Sequence, residues 1–175
     1  GWNDRLDVKR WTEMAAQTFV DSTHAPNIVV HGVSMGAATT LCLSGEELPA
    51  YVTPFVEDCG YTRAWDDFAV QLKEQFSLPA FPLMYSTSLL CRVVNGWSFG
   101  EASPMKQVSR CRRPMLFIHG DADTFVPFYM MKQLYDAKTH GYKEQWVTRG
   151  AQHACSYSDY PKEYTERVRQ FLAKE

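Results

Sequence analysis

Asn27-Ile28-Val29-Val30-His31-Gly32-Val33-Ser34-Met35-Gly36-Ala37 is the stretch on which the reading of this chain turns. Its apolar run predicts a short buried strand over 28–31, and 35 to about 45 reads as a helix that Gly45 and Pro49 end. Between them lies Gly32-x-Ser34-x-Gly36, placed where a strand turns sharply into a helix. That context holds a serine hydroxyl out at the top of a sheet as a nucleophile. The serine of such a turn sits in a strained conformation, so a side chain at either Gly32 or Gly36 is expected to clash.

Outward from this turn, the pattern alternates. Asn3 or Asp4 can cap a first helix to about residue 20, with Leu6, Trp11, Met14, Ala15 and Phe19 near one face, and a polar turn over 21–27 carries His24. Residues 51–56 read as a strand followed by the loop Glu57-Asp58-Cys59-Gly60-Tyr61; Thr62 can cap the next helix, to about 75. Helical material follows over 83–94, and Ser103-Pro104 starts a short helical turn. Residues 114–119 are the clearest strand, 126–138 a helix, 145–148 a final strand, and Pro161 opens a terminal helix. This order specifies one α/β domain over 1–175, a parallel sheet with right-handed crossovers and helices on both faces. The 76–110 segment is extra and apolar, and reads as a small lid. Either it covers Ser34 as a hydrophobic substrate pocket, with Phe81, Trp97 and Phe99 its candidate residues, or it simply packs onto the sheet.

Composition narrows the function classes. A hydrophobic fraction of 45% and 22% charged residues are ordinary for a globular domain, and a net charge of -2 offers nucleic acid no electrostatic attraction. No apolar run approaches the roughly 18–20 residues of a membrane span, and no targeting segment is visible. Cys42, Cys59, Cys91, Cys111 and Cys155 include no C-x-x-C pair or zinc spacing and read as free, mostly buried thiols. Compartment, substrate identity and oligomeric state are not written in these residues.

Ligands of open parallel sheets bind at the carboxyl ends of the strands. Three such ends carry complementary chemistry: Ser34; Asp123, within His119-Gly120-Asp121-Ala122-Asp123; and His153, within Gly150-Ala151-Gln152-His153. A serine hydroxyl needs a base to take its proton, imidazole supplies one near neutral pH, and a carboxylate behind it fixes the tautomer. The backbone N–H of Met35, at a helix start, can donate to an oxyanion. Asp121 and Asp58 are the rival acids, the first expected to cap its own turn and the second to hold structural hydrogen bonds. His31 and His119 read as packed, hydrogen-bonded histidines, His24 and His140 as loop residues, and Cys155, Tyr157 and Tyr160 as packing. The His119-x-Asp121-x-Asp123 spacing has no second cluster to make it a metal site.

The turn Val33-Ser34-Met35-Gly36-Ala37, the segment Asp58-Cys59-Gly60-Tyr61-Thr62, the 118–127 block and Ala151-Gln152-His153 together resemble the α/β-hydrolase superfamily. Within it they are similar to the serine hydrolases of the Bem46-like and YqkD-like group, as is the opening segment 1–8. The resemblance covers nearly all 175 residues and corresponds to the C-terminal half of that fold. It implies hydrolysis of an ester, thioester or amide of a small acyl substrate by Ser34, His153 and Asp123, without cofactor or metal. A second oxyanion donor normally follows an earlier strand, so an N-terminal half is the expected partner. Two alternatives stand beside an esterase or thioesterase: a peptidase or amidase of the prolyl-oligopeptidase type, and a non-catalytic fragment or binding subunit without the first oxyanion loop.

Overall fold

A continuous apolar run such as Met115-Leu116-Phe117-Ile118 is stable where both faces of a sheet are covered, and all four side chains are buried. The computed structural model describes residues 1–20 and 26–174; His24 and most of the 21–27 turn lie outside the described residues. Strands β1 (Ile28–Val33), β2 (Val52–Asp58), β3 (Met115–Gly120) and β4 (Lys143–Thr148) form one parallel sheet in the order β1-β2-β3-β4. Around it run α1 (Asp4–Phe19), α2 (Met35–Ser44), α3 (Ala64–Phe76), α4 (Leu83–Asn95), α5 (Pro104–Val108), α6 (Tyr129–Ala137), α7 (Ser156–Asp159) and α8 (Pro161–Leu172).

Strand alternation sorts the core into two layers. Phe55, Met115 and Phe117 pack with Leu41 and Leu43 of α2, Val108 of α5 and Met131 and Leu134 of α6. Val56, Leu116 and Ile118 pack with Trp146 and with Tyr164 and Phe171 of α8. Each fully buried side chain of this kind contributes about 1.5–3 kcal/mol. The sheet is thus held rigid from both sides, and its carboxyl edge can carry a site.

Several local expectations are corrected. Asn3 precedes α1 in helical conformation and makes no capping bond. Thr62 does not cap α3 either: Arg63 occupies that position, while Thr62 Oγ1 donates to Asp66 Oδ2 at 2.6 Å. Apart from Val8, which packs against the core, the larger apolar side chains of α1 face away from it. Thr12 and Ala16 are its buried residues, and Leu6, Trp11, Met14 and Phe19 are exposed. Small residues let α1 approach α2 closely, which turns the larger ones outward. The helix after β3 starts at Tyr129 because residues 121–128 are spent on a turn, and α7 was not legible at all. Within 76–110, α4 leans on α3, with Tyr85 edge-on to Trp65 at 5.0 Å, and leaves Leu89, Leu90, Val93 and Val94 exposed. No helix among the described residues is long and apolar enough to cross a membrane.

Candidate active site

The turn from β1 into α2 bends through a single residue. Ser34 has φ 57° and ψ -119°, outside the regions that L-residues favour, and its N–H is anchored on the Asp58 carbonyl at 2.8 Å. A Cβ on Gly32 would strike the Gly36 carbonyl and come within 2.6 Å of Thr40 Oγ1. Gly36 differs from expectation: a Cβ there meets open space, because it is the Gly36 backbone, not its missing side chain, that crowds Gly32. Met35 opens α2, so its N–H has no acceptor within the helix, and it finds no other backbone acceptor among the described residues.

The ends of β3 and β4 supply the other two groups. Ser34 Oγ lies 2.7 Å from His153 Nε2, and His153 Nδ1 lies 2.8 Å from Asp123 Oδ2. The structure therefore brings the three sequence-selected residues into one hydrogen-bonded line. Asp123 is buried and braced. Its Oδ1 accepts the N–H groups of Phe125 and Val126, each at 2.9 Å, and its Oδ2 also lies 3.3 Å from His119 Nε2. Burial alone would raise its pKa, but the hydrogen bonds from His119, His153 and Val126 win and hold it at about 2. The Phe125 ring lies 4.7 Å from that of His153 and shields it on one side.

The remaining candidates have other work. Asp121 does not cap its own turn; its Oδ1 accepts from Gly150 N at 2.6 Å and ties the β3 loop to the β4 loop. Gly120 allows the same approach, since a Cβ there would strike the Ala151 carbonyl. Asp58 accepts from Ser156 Oγ at 3.1 Å, and burial raises its pKa. His31 bonds Tyr164 OH at 2.8 Å; His140 is exposed and its carbonyl accepts from Lys138 Nζ at 2.5 Å. Tyr160 OH donates to the Arg149 carbonyl and Cys155 Sγ to that of His153. Tyr157 packs edge-on to Tyr164 yet stays largely exposed. His119 is wholly buried, and its Nε2 donates to the Val126 carbonyl at 2.9 Å.

A cavity of about 510 Å³ opens beside Ser34, with Met35, Asp67, Phe68, Trp97 and Phe125 in its wall. Trp97 is in place, but two expected lining residues are not. Phe81 is 71% exposed and stands away from the cavity, while Phe99 is buried against Phe68 and Trp97. Sequence reasoning missed Asp67 because a carboxylate in the first turn of a helix looks like an ordinary dipole partner. Among the described residues, Cys59, Asp123 and His153 could converge on a metal, their ligand atoms within 4.8 Å. The fit is poor: burial raises the Cys59 thiol's pKa, and the other two are bonded to each other.

No protein-family model matches the chain. It is 28% identical over 151 residues to YqkD of Bacillus subtilis (strain 168), an uncharacterized protein, covering 86% of this chain and 49% of that one. The Pyrococcus furiosus esterase Pf2001 superposes with a TM-score of 0.74 at 23% identity, over 99% of this chain and 62% of the esterase. The chain has the α/β-hydrolase fold. The same architecture recurs in the Pyrococcus horikoshii acylaminoacyl peptidase, with a TM-score of 0.67 at 14% identity over 97% of this chain and 27% of the peptidase. The chain thus spans about half the length of YqkD and under two thirds of the esterase.

Proposed function

We propose that the chain carries the nucleophile, base and acid of a serine hydrolase that cleaves a small carboxylester or thioester. The observation that carries this reading is the line Ser34 Oγ, His153 Nε2, His153 Nδ1, Asp123 Oδ2, with steps of 2.7 and 2.8 Å. Ser34 Oγ attacks the acyl carbonyl carbon while its proton passes to His153 Nε2. Asp123 keeps the Nδ1 proton in place and offsets the charge of the imidazolium. The Met35 N–H, at the positive end of α2, donates to the oxyanion of the tetrahedral intermediate. His153 then protonates the departing alkoxide or thiolate, leaving an acyl group on Ser34. Water attacks that ester with His153 again as base, and the acid is released.

The lining supports an apolar acyl or alcohol portion, with Phe68, Trp97 and Phe125 around the serine. The helical segment 76–110 serves as a cap that contributes Trp97. A fluorophosphonate probe applied to the full encoded protein is the direct test. Labelling that disappears in Ser34→Ala supports the reading, and a folded wild-type protein that resists labelling overturns it.

A further inference from the structure

We infer that the cavity beside Ser34 contains a subsite for a positively charged group, an alkylammonium carried by the substrate, with Asp67 as its counter-charge. The inference rests on the hydrolase reading and names the substrate class within it. Asp67 is only 7% exposed, and its Oδ1 has no hydrogen-bond partner among the described residues. A buried carboxylate oxygen without a partner costs several kcal/mol, and native proteins keep few of them. The nearby cation is already engaged: Arg63 forks onto Asp66, Nε to Oδ2 and Nη2 to Oδ1, both at 2.7 Å.

The cavity wall supplies the rest of the argument. Asp67 shares it with Ser34, so a group held by the carboxyl lies in the same cavity as the reacting hydroxyl. Tyr61, Phe68, Trp97 and Phe125 also line it, as do Gly1 and Asp4, whose ammonium and carboxylate are paired with each other; no lysine or arginine side chain does among the described residues. Aromatic faces next to a carboxylate form a site that attracts ammonium groups and has little to offer an anion. Burial pushes the Asp67 carboxyl up to about 6, which His153 opposes and Asp123 reinforces, and an ammonium bound beside it favours the ionised form. A substrate ammonium would give Oδ1 the partner it lacks. Acyl substrates with an amino group some carbons from the carbonyl fit this arrangement.

Two measurements on the full encoded protein separate the subsite from the hydrolase reading. In the first, butylammonium and butanol are titrated against Ser34→Ala by calorimetry, with intrinsic tryptophan fluorescence as a second readout. Butylammonium should bind, butanol should not, and Asp67→Asn in the same background should weaken the ammonium on the order of tenfold or more. In the second, phenyl 6-aminohexanoate is compared with its neutral isostere phenyl heptanoate. Wild type should favour the amine on the order of tenfold in kcat/KM, and the preference should vanish in Asp67→Asn. Cleavage of heptanoate with no ammonium preference and no butylammonium binding overturns the subsite and leaves the hydrolase standing. Asp67-dependent butylammonium binding without cleavage of either ester, or any probe labelling, overturns the hydrolase and leaves the subsite. Should Asp67→Asn fail to fold, the wild-type contrast between butylammonium and butanol decides alone, and equal binding refutes the proposal.

Discussion

Glu57 ends up at 0% exposure on β2, with Oε2 accepting from Gly60 N at 2.9 Å and Oε1 without a partner among the described residues. His119 Nδ1 is orphaned in the same way. Burial pushes the Glu57 carboxyl up to about 8, with His119 opposing, so at neutral pH the folded chain holds a proton that the unfolded chain has released. The unfolded state therefore binds fewer protons between about pH 4.5 and 8, and this residue's contribution to stability falls across that window. Glu57→Gln should flatten that decline, removing on the order of 3 kcal/mol of the loss between pH 5 and pH 8. Urea midpoints at pH 5 and pH 8 for the two proteins check it; parallel declines would refute it. Asp123 acts in the opposite sense, contributing stability above its ordinary range that is lost as pH falls through about 2. Under the proposed mechanism, Asp123→Asn should lower kcat about 10³–10⁴-fold with the fold intact, as judged by steady-state kinetics beside a melting curve. The convergence of Ser34, Asp123 and His153 was legible because the proposed chemistry needs those types in that order at strand ends. Glu57 and Asp67 were not, since nothing in a sequence distinguishes a carboxylate that will be buried from one that will be solvated.

At the scale of elements, the β1–α2 turn and the paired loops after β3 and β4 fix the site. Gly32→Ala should destabilise by at least about 2 kcal/mol, because both atoms it would strike are held, one in backbone and one in the buried Thr40. Gly36→Ala should change stability by less than about 1 kcal/mol. Thermal melts of the pair make the comparison, and equal losses would refute the assigned roles. Asp121→Ala should cost about 1 kcal/mol by releasing the β4 loop from the β3 loop. The four strands were readable from apolar runs bounded by turn residues. The orientation of α1 was not, because which stripe of a helix is buried depends on how closely its neighbour can approach. Thr12 and Ala16 won that position over Trp11 and Met14.

Across the molecule, the covered and uncovered surfaces divide sharply. β3 is covered on both faces, whereas β1 pairs only with β2 among the described residues and exposes Val29 and Val33. With α1 and α4 this makes three exposed apolar zones on 175 residues, and a strand edge beside apolar surface is a template for association. The chain as given, made alone, should self-associate with rising concentration; sedimentation velocity showing a monomer throughout would refute this. The parallel architecture was legible at this scale, because alternating strands and helices admit few others. The exposed faces of α1 and α4 were not, since their apolar residues read like core.

The backbone of Ser34 carries one more implication. At φ 57° a glycine would sit without the strain that any L side chain suffers, so Ser34→Gly should raise the melting temperature while removing the hydroxyl. Under the proposed mechanism, variant libraries of this protein ranked on thermal tolerance alone would then enrich an inert molecule.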